Sequence, residues 1–361
     1  MIDKPLSVCV GLKASPYEIL IASGIIPHIG GIVKSLIRPC KCAIISDELV
    51  APLYAKTLIE SLEKEGYSPL LLTLPAGEST KSMAQASTLC DRLIESGLDR
   101  KSAIFALGGG VIGDLAGFVA SIYFRGIPII QIPTTVVAQV DSSIGGKTGV
   151  NSLLGKNLIG SFHQPKLVIT DPSTLDTLPN YLFNEGLAEV IKHAVIADAS
   201  MLDLLPPVKG SKDLCALITR NVAIKAAIVT QDEFETTGTR ALLNFGHTIG
   251  HAVESVAGYG TFSHGESVAI GMTAALDLSV RLAALPEESF YRVLKTIHAC
   301  GLPTSISADL PTESLLATLR RDKKFDQGAI RFVLTGELGS AFVSNEVTID
   351  DVLGAIERLR K

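Results

Sequence analysis

The chain has 361 residues, 47% hydrophobic and 19% charged, with 32 glycines, which excludes disordered, coiled-coil and collagen-like classes. Its 32 basic and 37 acidic residues leave a formal charge of -5 with no long basic run, so no nucleic-acid partner is expected. A single core usually stops growing at ~250–300 residues, so two domains or one large α/β unit are expected.

In chain order, Met1 to Val10 carry Asp3 and Lys4 and lack the basic flank and long apolar segment of a secretory signal. A cytoplasmic location is therefore expected. The cysteines lie at 9, 40, 42, 90, 215 and 300, and the Cys40/Cys42 spacing is too short for a metal knuckle, so a reduced compartment is the simplest reading. Residues 43–46, 70–74, 103–107 and 129–132 read as buried strands, and 49–64, 81–96 and 115–122 carry helical spacing. This is the βαβ rhythm of a parallel sheet with helices on both faces.

The mean hydropathy of +0.37 raises the question of a membrane span, and residues 103–124 are the most apolar stretch. They contain Gly108, Gly109, Gly110, Gly113 and Asp114, which suit a buried strand, a glycine turn and a helix better than a lipid-facing segment. No membrane partner is expected. After Pro179 the pattern turns helical, over 184–197, 214–230, 240–257, 267–285, 287–299 and 347–360. The expected organisation is an α/β domain over residues 1–178 and a mainly α-helical domain over 179–361.

Gly108 to Asp114 fits G-x-G-x-x-G between a predicted strand and a predicted helix, where amides and the helix dipole favour a pyrophosphate. No acidic residue follows about 20 positions on, so an ordinary glycine turn stays an equal alternative. Gly145-Gly146-Lys147-Thr148 resembles the end of a P-loop, but Asp141 stands where the first glycine would have to be, and the Walker reading fails. What remains is a polar, glycine-rich stretch with Lys147 and Lys156, suited to an anion.

Further on, His247 and His251 are four apart on a predicted helix and share a face, with Arg240 and Asn244 on neighbouring faces. Both imidazoles could meet one divalent cation, with His264 as a third ligand and Glu189, set in an apolar helix, as a carboxylate. Two or three His with one Glu is a catalytic zinc set. Taken alone, His264 reads as a surface or hydrogen-bonded residue, and Glu189 with Lys192 as a helix-surface pair.

Taken together and in order, these motifs resemble the 3-dehydroquinate synthase family of sugar-phosphate cyclases. The resemblance runs from about Asp47 to Arg331 and includes Tyr123 to Gly126, Pro133-Thr134-Thr135, Asp141 to Asn151, Gly155-Lys156-Asn157, Gly186 to Lys192, Arg240 to Glu254, His264-Gly265-Glu266 and Arg321 to Lys324. It implies a homodimer with a Rossmann-like NAD-binding α/β domain, a helical metal-binding domain and an active site in the cleft between them. It also implies that Zn or Co is held by Glu189, His247 and His264, leaving His251 for substrate or proton transfer. For NAD it implies Asp47, Glu78, Lys81, the turn Gly109-Gly110-Val111-Ile112-Gly113 with Asp114, Thr134, Thr135, Asp141, Lys147, Lys156, and the loop Thr174-Leu175-Asp176-Thr177.

The implied substrate, 3-deoxy-D-arabino-heptulosonate 7-phosphate, carries a phosphate and a carboxylate. By the resemblance they would meet Arg125, Lys147, Lys156, Asn157, Lys192, Lys225, Arg240, Asn244, His251 and Lys324 of the Lys323-Lys324 pair, with Lys192, Arg240, Asn244 and His251 also serving positioning and proton relay. The implied reaction is a transient oxidation at C5 by NAD, loss of phosphate, re-reduction, ring opening and aldol closure to 3-dehydroquinate. The segment between Lys225 and Arg240 is one residue longer than the usual family spacing, with Thr236-Thr237-Gly238 in that loop. Other enzymes sharing the architecture would be a deoxy-inosose or valiolone-type cyclase and a metal-dependent alcohol or glycerol dehydrogenase.

Overall fold

Alternation within the apolar runs explains the first layer of the structure, a computed structural model that describes residues 4–258, 261–307, 309–321, 325–326 and 329–360. The elements of the first part are β1 (Leu6–Val10), β2 (Tyr17–Ile21), α1 (Ile29–Val33), β3 (Lys41–Asp47), α2 (Ala51–Lys64), β4 (Ser68–Leu74), α3 (Met83–Glu95), β5 (Ala103–Gly108), α4 (Gly110–Ile122), β6 (Ile129–Pro133), β7 (Lys147–Ser152), β8 (Gly155–Phe162) and β9 (Leu167–Thr170). Seven strands form one sheet in the order β1-β2-β9-β6-β5-β3-β4, parallel apart from the antiparallel edge strand β1. Ala43, Ile45, Ile104 and Ala106 face one core with side chains of α3 and α4, while Cys42, Ile44, Phe105 and Leu107 face the other with α1 and α2. A period of two with both faces apolar is what a doubly covered parallel sheet requires. Chain order reverses at β3, with β4 on one side and β5 on the other. The carboxyl ends of β3 and β5 thus flank the switch point where such sheets bind ligands.

The two strands β7 and β8 form a separate antiparallel ribbon. The remaining elements are α5 (Asn180–Ala197), α6 (Lys212–Gln231), α7 (His247–Ala257), α8 (His264–Leu282), α9 (Glu287–Ala299), α10 (Thr312–Arg321), β10 (Phe325–Asp326), β11 (Ala329–Glu337), β12 (Ser340–Val347) and α11 (Ile349–Arg358). The chain divides into two units, one running to Leu178 and including Lys209–Phe234, the other made of Pro179–Val208 and the residues from Glu235 onward. The helix α6, which the pattern alone assigns to the helical half, packs on β1 and β2 of the first unit. The second unit is helical except for the antiparallel sheet β10-β11-β12. No helix among the described residues is long and apolar enough to cross a membrane.

The continuous helix expected over 240–257 is interrupted. Arg240–Asn244 form a 3-10 turn, and Gly246 adopts a left-handed backbone (φ 78°) before α7 begins at His247. A Cβ on Gly246 would stand 2.8 Å from the Met272 backbone nitrogen, so close approach to α8 and the backbone conformation both demand glycine. Arg240 and Asn244 therefore do not share a helix with His247 and His251.

Candidate active site

In the first unit, β5 ends at Gly108 and α4 starts at Gly110, placing the glycine turn at a sheet edge with a helix N-terminus behind it. A Cβ would lie 3.0 Å from Thr135 Cγ2 at Gly109, 3.1 Å from Ser142 Oγ at Gly110 and 2.9 Å from Gln131 Oε1 at Gly113. The turn is thus pressed against Gln131 of β6 and the Thr135–Ser142 segment. Thr134 donates its backbone N–H to the Gly108 carbonyl at 3.0 Å, while its buried Oγ1 meets no hydrogen-bond partner among the described residues. A buried hydroxyl beside a cradle of glycine amides fits a pyrophosphate-bearing ligand. Val111 and Ile112 form the first turn of α4, and Ile112 is buried as packing.

Acidic and basic candidates lie in the same unit as this turn. Asp47 ends β3 and accepts the Leu49 and Val50 N–H groups, both at 2.9 Å. Glu78 accepts from Asn151 Nδ2 at 2.7 Å. Lys81, only 4% exposed, is hydrogen-bonded to both Asp114 and Asn157. Burial pushes the Asp114 carboxyl up from its ordinary value, and Lys81 opposes that shift. Asp141 is ion-paired with Lys225 of α6, so two residues given separate roles by the resemblance meet directly. Thr174 and Leu175 are buried, Thr174 Oγ1 receiving Gln139 Nε2 at 3.0 Å, while Asp176 and Thr177 are exposed. Arg125 and Lys147 are exposed and Lys156 is half-buried on the ribbon.

In the second unit, small residues rather than long ones bring the donor atoms together. A Cβ on Gly250 would lie 2.8 Å from the Ser267 carbonyl oxygen, and one on Gly271 only 1.9 Å from that of Gly246, so α7 and α8 touch backbone to backbone. Gly265 lies against α5 in the same way: a Cβ there would stand 2.1 Å from the Glu185 carbonyl oxygen. Ser263 and Glu266 form a capping box that starts α8 at His264. The result is that Glu189 of α5, His247 at the start of α7 and His264 at the start of α8 place one ligand atom each within 4.8 Å of one another.

Both Nε2 atoms face the same carboxylate oxygen, Glu189 Oε1, at 3.6 Å for His247 and 3.5 Å for His264. Two ligands held ~2.1 Å from one tetrahedral ion are about 3.4 Å apart, so a single divalent cation fits these donors. Lys192, 1% exposed, is ion-paired with the same Glu189 carboxylate. Burial, then the Lys192 ammonium, holds the His247 imidazole well below its ordinary value. Burial would also lower His264, but hydrogen bonds to Glu189 and Glu254 outweigh it and raise the group to about 10. The site thus sets Lys192 and His264 against the Glu189 and Glu254 carboxylates.

His251 is not in the converging donor group, although its ring centroid lies 5.2 Å from that of His247 and 6.0 Å from that of His264. It is exposed, whereas residue spacing by itself had paired it with His247 on the metal. Arg240 is 2% exposed, and Asn244 Nδ2 reaches Glu235 Oε1 at 3.5 Å. Lys323 and Lys324 lie outside the described residues. One residue that pattern reading passed over is Glu254, 7% exposed and 3.4 Å from His264 Nδ1. Its only sequence signal was a carboxylate on the buried side of an otherwise apolar helix.

Residues 71–185 match the family profile described as 3-dehydroquinate synthase N-terminal, and residues 186–325 that described as 3-dehydroquinate synthase C-terminal. The chain is 44% identical to the 3-dehydroquinate synthase of Desulforamulus reducens, covering 98% of this chain and 99% of that protein. Among solved structures it is similar to the 2-epi-5-epi-valiolone synthase of Streptomyces hygroscopicus with NAD+ and Zn2+ bound (TM-score 0.87, 29% identity, 97% and 98% covered). It is also similar to a 2-deoxy-scyllo-inosose synthase complexed with carbaglucose-6-phosphate, NAD+ and Co2+ (TM-score 0.85, 26% identity, 98% and 100% covered).

Proposed function

Since the chain belongs to the 3-dehydroquinate synthase family, a family of phosphate-eliminating cyclases, we propose that it converts 3-deoxy-D-arabino-heptulosonate 7-phosphate to 3-dehydroquinate and phosphate with the two residue sets described above. The observation that carries this reading is the convergence of Glu189, His247 and His264 within 4.8 Å. That donor set suits Zn or Co, and the glycine turn with the unmet Thr134 hydroxyl suits NAD. When bound, the cation supplies Lewis acidity at substrate oxygens and NAD supplies a reversible hydride transfer.

The chain's own residues supply orientation, charge and proton transfer. Glu189, His247 and His264 are the ligands, and the buried Lys192 beside them neutralises Glu189 and offers an ammonium to substrate oxygens. Gly109, Gly110 and the α4 N-terminus bind the cofactor pyrophosphate, with Thr134 and Thr135 alongside. Lys81 holds Asp114 and Asn157 in place. Arg125, Lys147, Lys156 and Asn157 take the substrate phosphate, where several cations offset a doubly charged group. Arg240 and Asn244 take the carboxylate, and His251, the most exposed of the three clustered histidines, relays a proton. This carboxylate set favours the heptulosonate over a sugar phosphate without an acid group, which also accords with the greater identity to dehydroquinate synthases than to the two other cyclases. A net dehydrogenase would not need the lysines around Lys147 and Lys156. A homodimer in the cytoplasm goes with this reading.

Purified protein given the heptulosonate phosphate, catalytic NAD+ and Zn2+ or Co2+ tests it. Phosphate and dehydroquinate should appear in equal amounts over many turnovers with no net NADH. Protein with full metal and cofactor occupancy that releases neither product overturns the assignment.

A further inference from the structure

The two metal-facing imidazoles are each gripped at the nitrogen that points away from Glu189. His247 Nδ1 lies 3.2 Å from the Phe245 carbonyl oxygen, and His264 Nδ1 lies 3.4 Å from Glu254 Oε2. The first grip comes from backbone. The second comes from a carboxylate 7% exposed, two helical turns along α7 from His247. An N–H donated from Nδ1 to an acceptor leaves the lone pair on Nε2, the atom that faces Glu189 Oε1 in both rings.

His264 has particular need of such a grip. It is the first residue of α8, and its side chain is 36% exposed. We propose that Glu254 is a positioning residue for the metal site: its carboxylate accepts the Nδ1 proton of His264 and fixes that ring with Nε2 toward Glu189. Glu254 lies outside the converging Glu189, His247 and His264 donor group and acts through His264. The carboxyl of Glu185, also close to α8, is bonded instead to the Gly265 N–H at 3.4 Å and so secures the helix start rather than the ring. Because Glu254 rides on α7 and His264 on α8, this bond also sets the register between the two ligand-bearing helices.

This inference rests on the metal reading above, and direct Co2+ binding, followed by the visible spectrum of Co2+ bound to apoprotein, separates the two. Glu254→Ala should weaken Co2+ by about 10- to 100-fold, the usual effect of removing such a partner. Glu254→Gln keeps an acceptor oxygen at the same reach without charge, and Glu254→Asp keeps charge but withdraws it by one methylene. The expected order of affinity is wild type, then Gln, then Asp, with the ligand-field bands shifted in Asp and Ala. Unchanged affinity in Asp and Ala, or Asp binding more tightly than Gln, overturns the positioning role. Should Ala fail to fold by circular dichroism, the Gln and Asp comparison still decides. His264→Ala is the control: if it binds Co2+ like wild type, the ligand assignment fails, whereas loss there with no effect at Glu254 refutes only this inference.

Discussion

The side chains that matter most are buried charges that would be costly alone and are stable only as a group. Glu189 and Lys192 are each 1% exposed and neutralise one another, yet the Glu189 carboxylate also faces two imidazoles. Removing one member of this group therefore disturbs the charge balance of the others. His247→Ala should abolish metal binding and lower turnover by about 10³-fold or more, the scale of several kcal/mol of Lewis-acid assistance, while NAD binding to the α/β unit persists. Metal analysis of the purified variant with an NAD titration checks this. Retained metal would refute the assignment. In the first unit, Lys81→Met leaves the Asp114 carboxyl buried without its cation. The loss of a buried partner costs about 3–5 kcal/mol, discounted toward the lower end because Asp114 is 21% exposed, and urea denaturation measures it.

Elements explain why these residues meet. The approach of α7 to α8 depends on Gly246, Gly250 and Gly271, and a methyl at Gly271 would sit 1.9 Å from the Gly246 carbonyl. Gly271→Ala should cost about 1–3 kcal/mol by overpacking and weaken Co2+ in parallel, because the helices that carry His247 and His264 are forced apart. Equal metal affinity in a destabilised variant would show that the packing and the site are uncoupled. Far from the site, α11 starts with a capping box in which Thr348 and Asp351 exchange hydrogen bonds. Thr348→Ala should cost about 1 kcal/mol. The same hydrogen bonds, from the Thr348 side chain and then its backbone, hold Asp351 below the ordinary carboxylate value of 3.8. A depressed folded-state value means stabilisation that is complete above pH 3.8 and lost as pH falls further. The stability gap between wild type and Asp351→Asn should accordingly close on acidification through that range, as thermal melts across pH will show.

For the molecule as a whole, a bound cation and NAD each favour the folded chain by mass action, about 2.7 kcal/mol at a ligand concentration one hundred times Kd. Chelation should lower the melting temperature and stop product formation, and Zn2+ or Co2+ should restore both. Activity that survives complete chelation would contradict the metal reading. The sequence by itself determined which chemical groups are available and the alternation that buries the central strands. Runs such as 43–46 and 103–107 are apolar on both faces and can sit nowhere but the middle of a sheet. The glycine turn was equally legible, because a strand before it and a helix after it are local features. The β1-β2 hairpin and the β7-β8 ribbon were not, since edge strands and glycine-rich strands carry little apolar periodicity. Likewise, no local signal sends α6 to the first unit, where it brings Lys225 to Asp141. Helical spacing pairs His247 with His251, but spacing sees only one helix at a time. It took the glycine-mediated contact of α7 with α8, and of Gly265 with α5, to bring His264 and Glu189 to His247, because convergence of ligand atoms depends on backbone approach between elements far apart in the chain.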